Sequence, residues 1–369
     1  MTRPNVGRVE PEQRRSLGAP VTGQATVPPG TARIAVDHLG GDHAPAVVVD
    51  GALRACQADP ALHLLLVGPA EASGAILAAL DPADHARVTM LAAPADRADL
   101  VRAAPPAERA AFDRRARERA AGRRTAESAA ESWVESGVRA AVLAVAQGLA
   151  DGVVSAGNTG ATVTSAALGL GRWSGVRRPA LAAILPTVEG RIVLLDVGSA
   201  VDPDEHTLAM HGRLGAAYAA AVHDIERPRV GLLTIGTERG KGDRLRRLAP
   251  GALAGVALPG HAEYVGLVEG SDVVLGGVAD VVVTDGFTGN VLLKGLETAY
   301  SVVGPPGDPT ALPRRAAILI GVAGTVVVCH GSAGAHDLAA GIAFAADLHR
   351  RGAVAAIAGL IQHTEVAQP

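Results

Sequence analysis

A layered α/β fold with a largely parallel sheet is what the sequence predicts, on two observations. Apolar runs bounded by glycine or aspartate alternate with amphipathic stretches, as strands alternate with helices in this fold class. The 369 residues include 45 glycines but only eight aromatic side chains, which favours a core of Ala, Val and Leu joined by many tight turns. With 48% apolar and 19% charged residues, the chain is long enough to bury a large core.

The predicted elements follow one another along the chain with glycine-rich turns between them. Helices are expected after Pro45, over about residues 105–150, after residue 160 and from Ala333 to Arg351, and the Gly169-Leu170-Gly171 run is interpreted as a helix end. The predicted strands are Ile34–Asp37, Leu62–Val67, Val88–Leu91, Val153–Ser155, Leu181–Leu185, Ile192–Asp196, Val230–Ile235, Val281–Thr284 and Thr325–Cys329.

Composition also sets the expected domain boundaries and location. Residues 1–30 lack periodicity and are expected to form a flexible N-terminal extension. Residues 31–355 are expected to form a single catalytic domain, followed by a C-terminal tail over 356–369. The sequence shows neither a long apolar run nor the pattern of a signal peptide, so we expect a cytoplasmic protein with at most peripheral membrane contact.

The charged residues and cysteines exclude several classes of protein. A net charge of −3 without a basic tract argues against nucleic acid as a partner. Cys56 and Cys329 are too few for a disulfide framework or a cysteine-based zinc site, and we expect neither a metal nor a cofactor. All but two of the 34 basic residues are arginines. The two lysines, Lys241 and Lys294, both lie in glycine-rich motifs, which suggests positions that need a compact point charge.

Four loops at predicted strand ends combine glycines with side chains that can bind a phosphate or a carbonyl. They are residues 40–43, 155–160, 236–242 and 285–290. Glycine lets the backbone approach a ligand, while Ser, Thr and Asn add hydrogen-bond donors. Any one of them alone is more typical of an ordinary turn. The sequence contains no Walker A loop, nucleophile elbow or zincin motif, which disfavours those enzyme classes.

At these loops the sequence resembles a known family. The runs are IAVDHLGGDHAP at 34–45, SAGNTGA at 155–161, LLDVGSAVD at 194–202, GLLTIGTERGKG at 231–242, VEGSDV at 268–273, ADVVVTDGFTGNVLLK at 279–294 and HGSAGA at 330–335. In this order they resemble the motifs of the PlsX family, the acyl-carrier-protein:phosphate acyltransferases of bacterial phospholipid synthesis. The resemblance extends over about residues 33–352.

The resemblance implies a fold, a reaction and a set of site residues. The fold is a homodimeric three-layer α/β/α arrangement of the isocitrate/isopropylmalate-dehydrogenase type. The reaction passes an acyl group from acyl carrier protein to inorganic phosphate, giving an acyl phosphate. The residues implied for catalysis are Lys241, Lys294, Asn158, Asn290 and His43. Those implied for substrate and phosphate binding are Asp37, Gly41, Asp42, Ser155, Gly157, Thr159, Gly160, Asp196, Asp285, Thr288, His330 and Ser332.

Arginine-rich segments are candidate docking surfaces for the acidic carrier protein that the resemblance implies. They are residues 114–124, Arg177 with Arg178, and Arg244 with Arg246 and Arg247. The alternative is a solvated surface in a sequence that uses arginine for most of its cations. That alternative is favoured for the first two segments, and the two interpretations are equal for the third.

Departures from the family pattern leave the substrate open. The family typically has a lysine pair where this sequence has the stretch Trp133–Val138. The run Asp196-Val197-Gly198-Ser199-Ala200 stands in place of the family's usual DVGAN, and Thr234-Ile235-Gly236-Thr237-Glu238 in place of its NIGEE, which removes an amide at two places. The segment between the 289–294 and 330–332 motifs is also short. A paralogue acting on a short or specialised acyl thioester, a non-catalytic protein that binds acyl carrier protein, and a dehydrogenase of the same fold are the alternatives.

Overall fold

The computed structural model describes residues 30–69, 76, 80–81, 84–93, 137–238, 240–306 and 315–366. The strands are β1 (Ala32–Asp37), β2 (Leu62–Gly68), β3 (Val88–Ala92), β4 (Gly152–Ser155), β5 (Ala180–Thr187), β6 (Gly190–Leu195), β7 (Arg229–Leu233), β8 (Glu263–Val268), β9 (Val281–Val283), β10 (Ala316–Ile320) and β11 (Thr325–Cys329). All nine predicted strands are therefore present, with ends shifted by up to two residues.

Helices connect most of these strands. They are α1 (Ala46–Ala58), α2 (Thr159–Gly169), α3 (Glu205–His223), α4 (Arg244–Ala254), α5 (Gly270–Leu275), α6 (Gly286–Val303), α7 (Ala335–Arg350) and α8 (Ala353–Val366), and residues 137–146 are also helical. Pro45 precedes the first residue of α1, and Leu170 ends α2, as the sequence predicts.

Two strands were not predicted. The strand β8 is half exposed where it pairs with β7, and Gly266, with a φ of +97°, interrupts its apolar residues. The other, β10, is fully buried, and its five apolar residues have no alternation that would separate a strand from a helix segment.

One sheet joins all eleven strands, in the order β3-β2-β1-β4-β11-β10-β5-β6-β9-β7-β8. Of the ten pairings that the described residues form, seven are parallel, which confirms a mostly parallel sheet. The three antiparallel pairings flank β10 and β5. As a result, β1, β4 and β11 run in one direction, while β6, β7 and β9 run in the opposite direction.

Helices cover both faces of the sheet and make three layers. On one face, Ile34 and Leu195 pack in a core with α1, α3, α4, α7 and α8. On the other face, Ala35 and Leu194 pack in a second core with residues 140–142, α2, α5 and α6. Alternate residues of a strand point to opposite faces, so β1 and β6 contribute to both cores.

The C-terminal segment belongs to the folded unit. The sequence suggests a tail from residue 356, but α8 continues to Val366 and buries Ile357 and Ile361 against the core that contains α3. These apolar side chains explain the helix, because leaving them exposed would cost about 1.5–3 kcal/mol each. The predicted N-terminal extension lies outside the described residues, apart from Gly30. Within the described part of the chain, none of the helices combines the length and apolarity needed to span a membrane.

Candidate active site

The predicted loops each follow the carboxyl end of a strand, but they come from strands of opposite direction. A chain of contacts nevertheless connects them. Asp42 donates its N–H to the carbonyl of Gly331 at 2.7 Å, and Asn290 donates through Nδ2 to the carbonyl of Val197 at 3.0 Å. A Cβ built on Gly198 would lie 3.8 Å from Thr159 Cγ2. Since α2 and α6 lie on one face of the sheet, their residues bring the two groups of loops together.

A buried carboxylate, Asp37, organises the first group of loops. Its Oδ2 accepts a hydrogen bond of 2.9 Å from Ser155 Oγ, and Ser155 Oγ in turn accepts the N–H of Gly157 at 3.0 Å. A Cβ on Gly40 would lie 2.7 Å from both Asp37 Oδ2 and the Gly157 nitrogen, so this position requires glycine. Burial raises the pKa of Asp37 to about 7, and the hydrogen bond from Ser155 opposes this rise.

The raised pKa of Asp37 makes a prediction about stability. The folded protein holds the Asp37 proton up to about pH 7, whereas an unfolded chain loses it near pH 3.9. The contribution of Asp37 to the free energy of unfolding is therefore at its full value below about pH 4 and decreases as the pH rises to 7. We expect Asp37→Asn to remove that fall, of about 1.4 kcal/mol per pKa unit. Urea unfolding of the wild type and of Asp37→Asn at pH 5 and pH 8 measures this fall. The prediction is wrong if the free energy of unfolding changes between the two pH values by the same amount in both proteins.

The first turn of α2 presents unpaired backbone donors. Asn158 caps this helix, and its Oδ1 accepts the N–H of Ala161 at 2.9 Å. The N–H groups of Thr159 and Gly160 have no acceptor among the described residues. No acidic residue lies in this turn, and the helix dipole adds partial positive charge. Such a turn can bind an oxyanion.

The Asp196 carboxylate binds backbone N–H groups and does not face an open cleft. It is fully buried, and its carboxylate accepts the N–H groups of Leu181, Gly198, Ser199 and Ala200 at 2.5–3.2 Å. These bonds hold the loop 197–200, which the amide of Asn290 also contacts. Burial raises the pKa of Asp196 despite the bonds to backbone. Asp196 is therefore a residue that positions this loop.

The Asp285 carboxylate also binds other groups of the protein. It caps α6 by accepting the N–H of Thr288 at 2.8 Å and the Thr288 hydroxyl at 2.8 Å. Its Oδ2 forms a buried ion pair with Arg246 Nη2, which lies within 3.0 Å of Thr284 Oγ1 as well. Although burial alone would raise the pKa of Asp285, the bonds from Thr288 and Arg246 hold it below its usual value.

Arg246, a candidate docking residue, lies in the interior of the protein. As a candidate docking residue it was expected at the surface, but its side chain is only 9% exposed. It points inward because it shares the buried face of α4 with Ala249 and Leu253, at helical spacings of three and four. That spacing is the signal that could have identified it. Arg244 and Arg247 on the same helix are exposed.

Lys294 lies one helical turn after Asn290 on α6, and its charge acts on His330 in the loop that follows β11. Its side chain is exposed and has no ion pair with any described residue. The pKa of His330 is lowered, first by burial and then by the positive charges of Lys294 and Arg315. Asp42 and Asp337 oppose that shift. Lys294 and His330 are thus within electrostatic reach of each other.

The tautomer of His330 follows from its hydrogen bonds. Its Nδ1 accepts the backbone N–H of Ser332 at 3.2 Å and lies 2.7 Å from the Ser332 hydroxyl. With Nδ1 an acceptor, the neutral ring carries its proton on Nε2. A lowered pKa keeps the ring neutral near pH 7. His330 is therefore a neutral N–H donor.

The remaining predicted residues lie on exposed loops. Lys241 is exposed beside Gly236 and Glu238, and its N–H binds the Glu238 carbonyl at 3.1 Å. His43 is exposed, and its ring has no hydrogen bond to the described residues. The φ of Gly41 is +117°, a conformation that favours glycine. The arginines of segment 114–124 and residues 133–136 lie outside the described residues.

Comparison with known proteins shows to which family the chain belongs. The family described as "Fatty acid synthesis protein" matches residues 32–305. The chain belongs to this family. The chain is 37% identical over 349 residues to a phosphate acyltransferase of Thermobifida fusca, covering 88% of this chain and 89% of the relative. It is 39% identical over 269 residues to a phosphate acyltransferase of Bacillus subtilis, covering 72% and 71%. The predicted resemblance to the PlsX family, and with it the prediction of an enzyme, is confirmed.

Solved structures confirm the fold. A branched-chain phosphotransacylase from Enterococcus faecalis has a TM-score of 0.56 at 14% identity, covering 87% of this chain and 99% of that one. The EutD phosphotransacetylase from Staphylococcus aureus has a TM-score of 0.52 at 19% identity, covering 89% and 96%. At these identities the likeness shows the shared α/β architecture alone.

Proposed function

We propose that this chain transfers an acyl group from an acyl carrier protein thioester to inorganic phosphate, which gives an acyl phosphate. The observation that supports this most directly is the first turn of α2, where the N–H groups of Thr159 and Gly160 have no acceptor among the described residues and the turn itself contains no acidic residue. Membership of a family whose relatives are named phosphate acyltransferases agrees with a phosphate-binding role for this turn.

Phosphate is the nucleophile in this proposal. It is already an oxyanion at neutral pH, so no side chain has to be deprotonated, and the protein's main task is to hold it against the thioester. A phosphate oxygen forms a bond to the carbonyl carbon as the carbon–sulfur bond breaks. The proton of hydrogen phosphate ends on the carrier thiol. A thiol with a pKa near 8.5 leaves with little acid assistance.

Negative charge develops on the carbonyl oxygen of the thioester as phosphate attacks, and hydrogen-bond donors around that oxygen stabilise it. Asn158 uses Oδ1 to cap α2, which leaves its Nδ2 protons without a described acceptor. Asn290 has one amide proton committed to the Val197 carbonyl. The ammonium of Lys294 and the Nε2–H of His330 are further donors. A set of pre-oriented donors of this kind is the main catalytic device available for acyl transfer.

A pair of substitutions tests the role of His330 as a neutral donor. His330→Ala removes the donor and is expected to lower kcat about tenfold, the value of one hydrogen bond of about 1–1.5 kcal/mol. His330→Gln keeps an amide N–H near the position of Nε2 and is expected to retain most of the activity. Phosphate-dependent thiol release measures both. Equal losses in the two variants would argue against a donor role.

The carrier protein is expected to dock through local positive charge. Arg244 and Arg247 are exposed on α4 beside the loop that contains Lys241, whereas Arg246 is withdrawn into the interior. An acidic carrier attracted by these side chains would associate more weakly at high salt. The homodimer and the cytoplasmic location implied by the sequence stay predictions.

The experiment that tests the proposed function is a thiol-release assay on a panel of acyl carrier protein and acyl coenzyme A thioesters of graded chain length. Each thioester is incubated with and without inorganic phosphate, and the product is trapped with hydroxylamine as the hydroxamate. Release that requires phosphate and yields hydroxamate supports the proposal and identifies the acyl chain. Carrier binding with no phosphate-dependent release would refute it in favour of a non-catalytic protein.

A further inference from the structure

Four exposed apolar side chains lie at the strand ends that carry the candidate active site. They are Val201, Ile235, Phe287 and Val291, with exposed fractions of 61%, 81%, 63% and 59%. Single exposed apolar side chains are common on proteins, but a group of them on one surface often marks a binding site. We call this group the apolar patch.

A backbone contact makes two members of the apolar patch neighbours. The N–H of Gly286 donates to the carbonyl of Ala200 at 2.8 Å. Each of these residues immediately precedes a member of the patch, so Val201 and Phe287 lie side by side. Val291 follows Phe287 by four residues and therefore lies on the same exposed face of α6.

Strand pairing brings Ile235 to the same place. The strands β7 and β9 are parallel, with Leu232 opposite Val283. Ile235 and Phe287 follow these residues by three and four positions, so they leave the same edge of the sheet on adjacent strands. The apolar patch therefore spans the ends of three neighbouring strands, β6, β9 and β7.

The apolar patch adjoins the donors that the proposed mechanism uses for the thioester. Lys294 follows Val291 by three residues and Phe287 by seven, so all three side chains share the exposed face of α6. Seven residues of helix span about 10 Å. An acyl chain whose carbonyl is held by Asn290 and Lys294 can therefore extend along α6 towards the ring of Phe287.

We propose that the apolar patch binds the acyl chain of the thioester and selects its length. This inference rests on the proposed function, because it takes the carbonyl of the acyl group to be held at Asn290 and Lys294. Each methylene group that moves from water onto an apolar surface adds to the affinity. A surface that begins at these donors and ends at Phe287 favours chains that are long enough to reach that ring.

Two other occupants fit the apolar patch less well. An anionic membrane surface requires an excess of cations near the apolar side chains. The residues next to Val201 and Ile235 instead include Asp202 and Glu238, which are acidic and exposed. A second copy of the chain would bury roughly 800 Å² on each partner in an interface of standard size, which is more than four side chains present.

Alkylphosphonates of graded length, from methyl to decyl, test this inference without turnover. Their head group stands in for the phosphate of an acyl phosphate, and calorimetric titration of the full chain measures their affinity. The variants are Phe287→Ser and Val291→Thr, both at exposed positions, with melting curves to confirm folding. Val302→Thr is the matched control, because Val302 is 78% exposed on the same helix but lies outside the apolar patch.

We expect the affinity of the wild type to rise about two- to fourfold for each added methylene, until the chain has passed Phe287. In Phe287→Ser and Val291→Thr the gain for each methylene should be smaller, while methylphosphonate binds as it does to the wild type. Val302→Thr should behave as the wild type does throughout. An affinity that is independent of chain length in the wild type, or that rises equally in the wild type and both patch variants, would overturn the proposal.

Sedimentation of the same proteins tests the other two occupants. If Phe287→Ser weakens a dimer, or weakens binding to phosphatidylglycerol vesicles, and leaves the dependence on chain length unchanged, the apolar patch contacts a second copy or a membrane and the proposal is wrong. Unchanged sedimentation together with a smaller gain for each methylene supports the acyl chain as the occupant.

The thiol-release assay distinguishes a failure of this inference from a failure of the proposed function. Alkylphosphonate binding that depends on chain length, without phosphate-dependent thiol release, would refute the proposed function and keep the apolar patch as a site for an alkyl chain. Phosphate-dependent release with the same chain-length preference in the wild type and in Phe287→Ser would refute this inference and keep the proposed function.

Discussion

Replacing Lys294 by alanine is expected to lower kcat/KM for phosphate by about 100-fold or more, the range found when a single pre-oriented donor is removed from an oxyanion site. The ammonium is exposed on α6 and has no ion pair with the described residues, so its charge is available to a ligand. It lies one turn from Asn290 and within electrostatic reach of His330. Removing it takes away a charge that no neighbouring lysine replaces.

A second readout separates this role from a structural one. Because the Lys294 charge helps to lower the pKa of His330, Lys294→Ala should raise that pKa towards its usual value, which NMR titration of the ring measures. Lys294→Arg keeps the charge and should hold the pKa low while restoring only part of the rate. Arg54→Ala on the exposed surface of α1 is the control. Full activity of Lys294→Ala would remove this residue from the proposed mechanism.

Replacing Arg246 by methionine is expected to destabilise the protein by about 3–5 kcal/mol, the cost of leaving one member of a buried ion pair without its partner. Arg246 bonds to Asp285, to Thr284 and to Asp243, and both carboxylate oxygens of Asp285 are engaged at the start of α6. Losing these bonds should also loosen the turn that presents Thr288 and Asn290. Urea unfolding measures the stability, and the assay above measures the activity.

A double variant tests whether the cost comes from the orphaned charge. Arg246→Met with Asp285→Asn removes both charges, so it should be more stable than Arg246→Met alone. Arg247→Met, one residue along the same helix but exposed, should cost less than about 1 kcal/mol. Equal destabilisation of the single and double variants would show that packing, rather than charge, explains the effect.

Strands were the most predictable part of this protein. The runs that became β1, β2 and β6 are apolar, rich in branched side chains and bounded by glycine or aspartate, so each could be identified from local pattern. The strand β8 was missed because its alternate residues face solvent and its sequence lacks a buried run. The C-terminal helix was missed for a different reason, since its burial depends on a distant surface of α3.

The burial of three candidate site residues could not be inferred from the sequence. The predicted aspartates Asp37, Asp196 and Asp285 do lie at strand ends, but their carboxylates are buried and bind neighbouring donors of the protein. Charge type and loop context alone do not separate a carboxylate that contacts a ligand from one that positions a loop. That distinction depends on burial and on partners far away in sequence.

The sequence by itself determined where the strand-end loops and the two lysines lie along the chain, and to which family the chain belongs. These are local features, because an apolar run followed by a glycine-rich segment predicts a strand and a turn wherever that strand lies in the sheet. Only the tertiary structure decided that the strands bearing these loops run in opposite directions, since this follows from the antiparallel pairing of β10 and β5 between the two halves of the sheet. It also decided that Arg246 is buried, because its partner Asp285 lies 39 residues away in the sequence, and the two meet only where the first turn of α4 reaches the start of α6 in the folded chain.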